Sequence, residues 1–394
     1  MIARSIRLIA VAMLTPVFMM LLSGCWDNHE LDAMFIITGV ALDDAVNPDQ
    51  MDITLQIGEA KQESSGSGEA NSEENSVILL KTTGDTMMGG LMELNRDSSH
   101  KLLLHHNQVL LLGAALAEQG VKKRLDLFMR DQQARMEVPV VVVDGRAEEA
   151  LSAKLAQDKI SGIFLARTLN DLAIISQKYR VRMLDFASQL LDETSSPIAP
   201  MIRVVRQGDQ QKIKISGMAV FKKDRMIGRL TNDEAMGYIW SMGNVRQCDM
   251  EAGSSLGKAV FHIIKLDCKR EITLRPDEGV RVELTVNATL NLGELSGFTG
   301  LSSDELLLYL VRLAEEEIQR KITDSFETVR GLNADIYGFG TSVHRKYPKE
   351  WMTMKGRWDA IFPDIEFSVK ARVNIPGTGQ IIQSLEMEDD KHED

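Results

Sequence analysis

The chain has 394 residues, 44% of them hydrophobic, which is enough apolar material for a packed core and argues against a disordered tether. Lys and Arg number 45 against 57 Asp and Glu, for a formal net charge of −12 at pH 7. So acidic a body argues against nucleic acid as a partner, because phosphate contacts need a basic surface.

The N-terminus reads as a lipoprotein signal peptide, residues 1–24. Arg4 and Arg7 form a positive start, Ile9 to Leu22 is nearly continuous apolar sequence, and Leu22-Ser23-Gly24-Cys25 follows as a bacterial lipobox. The cations hold the start in the cytoplasm, and small Ser23 and Gly24 give a peptidase clearance. A membrane span needs about 20 apolar residues, whereas this run is shorter and contains Pro16. Cys25 is therefore the expected lipidation site and mature N-terminus. Removing 24 residues leaves 394 − 24 = 370, room for roughly two or three domains, and losing the two arginines takes the charge from −12 to −14. No later apolar run is long enough to span a bilayer, so the mature chain is expected to lie on the outer face of the cytoplasmic membrane, held by its acyl chains.

Phe35 to Leu42 reads as a strand, and Met51 to Ile57 alternates apolar and polar residues as a half-buried strand does. Lys61 to Ser76 has no periodicity, and its Ser, Gly, Glu and Asn content predicts a mobile loop, residues 61–76, before the sheet resumes at Val77 to Lys81. Thr86 to Leu94 reads as a helix and His105 to Leu112 as a strand. Ala114 to Arg130 reads as a single helix turning Leu116, Val121, Leu125 and Phe128 inward. A strand follows at Glu137 to Val143, then helices at Ala147 to Ala156 and Leu184 to Leu191. Pro197 and Pro200 bracket a break, which places a boundary between an N-terminal α+β region, 25–198, and a strand-rich middle domain, 199–250.

In that middle stretch Ile202 to Gln207, Lys212 to Phe221 and Met226 to Leu230 read as hairpin strands joined at Gly208-Asp209 and Lys223-Asp224. A C-terminal α+β domain, 251–394, continues with strands at Ala259 to Asp267, Glu271 to Leu274 and Val280 to Leu292, and ends in a short acidic tail. Its long helix, 303–330, is announced by a capping box, Ser302 with Glu305, and buries Leu307, Leu310, Ala314, Ile318, Ile322 and Phe326. Fold class is thus α+β: a multidomain ectodomain of mixed and antiparallel sheets packed with helices.

Motifs for catalysis or cofactors are lacking. Gly253 to Ala259 is one residue short of a phosphate loop, and Ala259 stands where the magnesium-binding hydroxyl belongs. His105 and His106, adjacent on an expected strand, would point to opposite faces, which suits neither a metal pair nor a dyad. Glu315-Glu316-Glu317 reads as the solvated side of the long helix. Cys248 and Cys268 have no neighbouring Cys or His for zinc. They could form a disulfide, worth about 3 kcal/mol by loop entropy, or lie as two buried thiols on separate strands. Gly338-Phe339-Gly340 with Trp351 and Trp358 reads either as a tight turn under an aromatic mini-core, the favoured reading, or as an exposed aromatic surface for a partner. No enzyme activity, metal or cofactor is expected.

From Cys25-Trp26-Asp27 through Glu30-Leu31 to Gly39-Val40-Ala41-Leu42-Asp43, the mature start resembles the Ger(x)C family, lipoprotein C subunits of the nutrient receptors that trigger bacterial spore germination. Further segments carry the same resemblance in order: His106-Asn107-Gln108-Val109 to Gly113, Gly217-Met218-Ala219-Val220-Phe221-Lys222 to Gly228, and Asp335-Ile336-Tyr337-Gly338-Phe339-Gly340 with Tyr347-Pro348, Trp351 and Trp358. The resemblance implies a mixed α+β ectodomain of about three domains, anchored on the outer surface of the spore inner membrane. It also implies a polytopic A subunit and a transporter-like B subunit as partners, with no recognised enzymatic activity. The rival expectation is an extracytoplasmic substrate-binding lipoprotein of a transporter, but the strand-rich second half lacks the alternating units such proteins show.

Overall fold

The computed structural model describes residues 34–58, 77–131, 134–208, 210–275 and 279–376. The signal peptide, Cys25, the expected loop at 61–76 and the acidic tail lie outside the described residues.

A nine-stranded mixed sheet forms the first unit. β1 (Met34–Asp44), β2 (Met51–Gly58) and β3 (Val77–Gly84) make an antiparallel meander, and short β4 (Lys101–Leu103) pairs parallel with the start of β1. β5 (Leu110–Gly113), β6 (Val140–Val143) and β7 (Ile198–Gln207) run parallel beyond β1, and β8 (Gln210–Lys222) and β9 (Arg225–Leu230) finish the sheet as hairpins. The four valines of β6 are all buried, as a strand covered on both faces requires. On one face, Val40, Leu42, Leu110 and Val140 pack under α1 (Met87–Asp97), α2 (Ala114–Gln119), α3 (Asp126–Arg130) and α6 (Met183–Leu191). On the other, Ala41, Leu111, Val141 and Val143 pack under α4 (Ala147–Leu151) and α5 (Ser161–Ile175).

Several expectations change in this unit. The strand expected from His105 starts later, at Leu110, because Asn107 N–H bonds back to Leu104 O at 2.9 Å and closes a 3-10 turn over Leu104–His106. The single helix 114–130 is two, because Val121 N–H leaves the helical ladder and donates to Asp224 O at 2.8 Å. The stretch 199–250 builds no sheet of its own: β7, β8 and β9 extend the first sheet, and the remainder enters the second unit. Pro200, read as a break, lies within β7 just ahead of the parallel ladder to β6, which opens at Met201, so its missing N–H costs that ladder nothing.

The second unit is a four-stranded sheet, β10 (Cys248–Gly253), β11 (Gly257–Leu274), β12 (Val280–Gly297) and β13 (Glu366–Asn374), in that order, with β13 parallel to β12. α8 (Ser303–Gly331) covers one face of it. Glu305 N donates to Ser302 Oγ at 3.4 Å and Ser302 N to Glu305 Oε2 at 2.9 Å, the expected capping box. Leu310, Ala314, Ile318, Ile322 and Phe326 are buried, and Leu306 takes the inner position while Leu307 is half-buried. Each fully buried large apolar side chain stabilises the fold by about 1.5–3 kcal/mol. The opposite sheet face is wet: Arg281, Glu283 and Asn287 alternate outward along β12.

α7 (Asn232–Met242) crosses α8 so closely that a Cβ at Gly237 would lie 1.9 Å from Lys321 O. Only glycine lets the two backbones approach in this way. α9 (Phe339–Lys346), α10 (Pro348–Met354) and α11 (Trp358–Ile361) close the end of the core.

Cys248 and Cys268 are free thiols, and burial pushes both up to about 11. Cys248 faces Ile263 across β10–β11, so Cys268 lies 268 − 263 = 5 residues farther along β11. At about 3.4 Å per residue that separation far exceeds the roughly 7 Å a disulfide tolerates. Alkylation after non-reducing denaturation should therefore modify both cysteines, and a mass lower by one bridge would contradict this register. Gly237→Ala should lower folding stability by roughly 1–3 kcal/mol in urea denaturation, and an unchanged midpoint would refute the helix contact.

Candidate functional site

The motif Asp335 to Gly340 sits where the two units meet. Asp335 is 3% exposed, and its carboxylate accepts from Phe339 N at 3.0 Å, Gly340 N at 2.8 Å and Trp358 Nε1 at 3.2 Å. Its backbone carbonyl accepts from Ser196 N at 2.9 Å, tying the segment that leads into β7 to the C-terminal helices. Burial pushes the Asp335 carboxyl up to about 6, with the three N–H donors acting against that rise. Beside it Asp192 accepts from Thr194 N at 2.7 Å and Ser195 N at 2.9 Å, and Thr194 and Ser195 hydroxyls each lie 3.1 Å from Thr341 Oγ1. A Cβ at Gly340 would come within 2.9 Å of the Trp358 ring and 3.0 Å of Thr194 Cβ, which explains the glycine.

Around this carboxylate the aromatic residues form a core rather than a surface. Trp351 and Trp358 are 3% and 5% exposed, with ring centroids 5.3 Å apart in an edge-to-face pair. Tyr337 stacks on Phe339 at 5.1 Å, and Arg270 lies 5.1 Å over Phe339 while donating to Tyr337 O at 2.8 Å. The carboxylate is enclosed and its lone pairs are engaged by donors, so it positions backbone and has no access to a substrate.

The first motif has the same character. Asp43, buried at the end of its apolar strand, accepts from Ala147 N at 2.6 Å and Glu148 N at 2.9 Å, and so caps α4. Burial raises its carboxyl above the usual range. Gln56, also buried, donates to Leu151 O at 2.7 Å and Ser161 Oγ at 2.9 Å and accepts from Gly162 N at 2.8 Å. Asp43 stands in the motif that carries the resemblance, but neither its capping role nor Gln56 is read from the sequence, although a polar residue inside an apolar strand has to find partners and is a readable signal.

Other candidates are dispersed. His105 and His106 do not face opposite ways from a strand: they share the 3-10 turn, with ring centroids 4.7 Å apart. Gly253 to Ala259 forms the β10–β11 hairpin, closed by Ser254 N to Gly257 O at 2.8 Å. The Glu315–Glu317 run is not simply solvated. Glu315 Oε1 accepts from Val373 N on β13 at 3.0 Å, and Glu317 pairs with Arg320 at 2.7 Å. Among the described residues no cluster of three or more His, Cys, Asp or Glu could hold a metal ion, and no helix is long and apolar enough to cross a membrane.

These features, a mixed sheet joined by a buried carboxylate to a long-helix α+β unit, define a non-repetitive α+β protein with structural polar hubs. Residues 27–204 match the spore germination protein N-terminal domain, and residues 216–379 match the spore germination B3/GerAC-like C-terminal domain. The chain is 25% identical to spore germination protein KC of Bacillus subtilis (strain 168), covering 94% of this chain and 96% of that protein. It is 21% identical to spore germination protein B3 of the same organism, covering 92% and 96%. The crystal structure of the GerBC protein superposes with a TM-score of 0.52 at 17% identity, covering 86% of this chain and 97% of that one, and so shares the fold. The chain belongs to the Ger(x)C family of spore germination proteins.

The Asp335 hub has a pH signature. Its folded value, about 6, lies above the ordinary 3.8, so between these values the folded chain holds a proton that the unfolded chain releases. That contribution is fully present below about pH 4 and is lost as pH rises through about 6. Asp335→Asn should remove this slope from stability measured by urea denaturation across the window. It should also be less stable at neutral pH, because the amide keeps one acceptor oxygen and its NH2 group then faces at least one of the three N–H donors. A variant retaining the wild-type slope would sink the assignment.

Proposed function

We propose that this chain is a non-enzymatic, lipid-anchored subunit of a spore nutrient germinant receptor. It works by binding, helping to assemble the receptor or to pass on its signal. The observation that carries the reading is the family membership across both halves of the chain, with relatives that are themselves spore germination proteins. In support, the buried carboxylates of the motifs, Asp43 and Asp335, are consumed in capping and joining segments. The partners are then polytopic A-type and transporter-like B-type subunits, met at the outer face of the cytoplasmic membrane, which in spores is the inner membrane.

Acylation of Cys25 would place the ectodomain at that surface. β1 starts 34 − 25 = 9 residues later, a reach of at most about 30 Å, so the β1 entrance to the first sheet stays near the bilayer. Confinement to the membrane raises the local concentration of the subunit, and a modest protein interface then suffices.

Spores carrying Cys25→Ala at the native locus provide the test, with A and B subunit abundance in the inner membrane recorded alongside. The expected outcome is a chain that persists while the nutrient response and partner abundance fall. An unchanged nutrient response together with lost uptake of a solute would overturn this reading in favour of a transporter-associated binding lipoprotein.

A further inference from the structure

β7 and β8 form a hairpin that runs past the parallel part of the first sheet. The last pairing of β6 with β7 is Val143 with Ile202, so Arg203 to Gln207 and their cross-strand partners Gln210 to Lys214 extend beyond it. Arg203, Arg206, Lys212 and Lys214 are all exposed on this extension. None of these four side chains has an ion-pair or hydrogen-bond partner among the described residues. Lys154 is exposed beside them, its backbone N–H donating to Gln211 Oε1 at 2.9 Å.

This arrangement works against the hairpin's own stability. Arg203 lies directly opposite Lys214, and Lys212, two residues away on the same strand, shares their face. Like charges opposed across an antiparallel ladder destabilise it. The alternate residues Val204, Ile213 and Ile215 pack toward the core under α4 and α5, so the apolar face of the hairpin is occupied and its basic face is open. Asp144, which follows β6, and Asp158, in the loop that carries Lys154, are already held by Arg229 and Arg167, each at 2.9 Å. Asp209, at the turn, lies outside the described residues. On a chain of net charge −12, cations gathered and left in this way mark a surface for an external anion.

The place of the hairpin narrows the identity of that anion. β1, β5, β6 and β7 run parallel, so the hairpin projects from the end of the sheet at which β1 finishes. The chain enters β1 from the Cys25 side at the opposite end, about 35 Å away along the 11-residue strand. An anchor at Cys25 holds that opposite end, which favours an acidic protein surface over lipid headgroups.

We propose that the β7–β8 hairpin docks on a cluster of Asp and Glu side chains on the extracytoplasmic surface of a receptor subunit. This rests on the receptor reading above and names the surface through which the subunit is held. Acids placed against Arg203, Lys212 and Lys214 replace their mutual repulsion by attraction, steer the encounter, and lose strength as salt screens them.

The test is co-purification in detergent of the A and B subunits with the full, lipidated chain. Wild type is compared with Lys214→Glu, with Lys212→Glu/Lys214→Glu, and with Lys349→Glu/Lys355→Glu, a charge-matched change at exposed lysines of the second unit. Recovery of the subunits should fall by about tenfold or more with the double hairpin variant, fall as salt is raised for wild type, and hold for the control. Lys214→Glu sets opposite charges across the ladder, so it should raise the thermal midpoint by about 1–3 °C while already weakening recovery, which separates lost docking from lost folding. Hairpin variants that recover the subunits as wild type does overturn the proposal and leave the receptor reading standing. A wild-type chain that recovers neither subunit overturns both. Binding to phosphatidylglycerol vesicles, or self-association in sedimentation, that the hairpin variants lose while keeping the subunits would replace the acidic partner by the bilayer or by a second copy of this chain.

Discussion

A carboxylate removed from water is expensive unless donors converge on it, and Asp335 is the point at which this chain meets that constraint. Its side chain holds the start of α9 and the Trp358 indole, and its backbone carbonyl holds Ser196 at the entry to β7. The first sheet, the long-helix unit and the aromatic core are therefore joined at one residue. The Gly340 contact with Trp358 and Thr194 follows from the same closeness, since nothing larger fits between them.

The first sheet repeats this use of buried polarity. Asp43 caps α4, and Gln56 pins Leu151, Ser161 and Gly162 across the sheet face, so that the helices over the parallel strands have fixed ends. Polar residues inside an apolar strand impose a single arrangement, because any other leaves them unmatched. The motifs that carry the family resemblance are thus devices of architecture.

Some elements were legible because one dimension suffices to specify them. β2 alternates apolar and polar residues and is a strand, although Thr54 and Gln56 are buried as well, so that it is covered on both faces rather than half-buried, and α8 carries both its capping box and a stripe of buried positions at helical spacing. α7 also has a readable capping box, with Thr231 N donating to Glu234 Oε2 at 2.7 Å, but Gly237 in its middle reads as a breaker until Lys321 is seen beside it. α5 starts at Ser161 behind Ile160, with no side-chain cap, and its signal is confined to Leu165, Leu169 and Ala173. The assignment of β7 to the first sheet, despite Pro200, depends on pairing with β6, some sixty residues earlier in the chain.

By itself the sequence determined the α+β class, the family and the periodic elements, because apolar spacing, capping residues and ordered motifs are local properties of the chain. The tertiary structure alone decided that the stretch after Pro197 extends the first sheet, that Cys248 and Cys268 lie five residues out of register, that Asp335 joins the units, and that Arg203 and Lys214 face each other beyond the parallel strands. Each of these depends on which distant segments come into contact, and contact is fixed by packing and hydrogen-bond satisfaction over the whole fold rather than by neighbours in sequence.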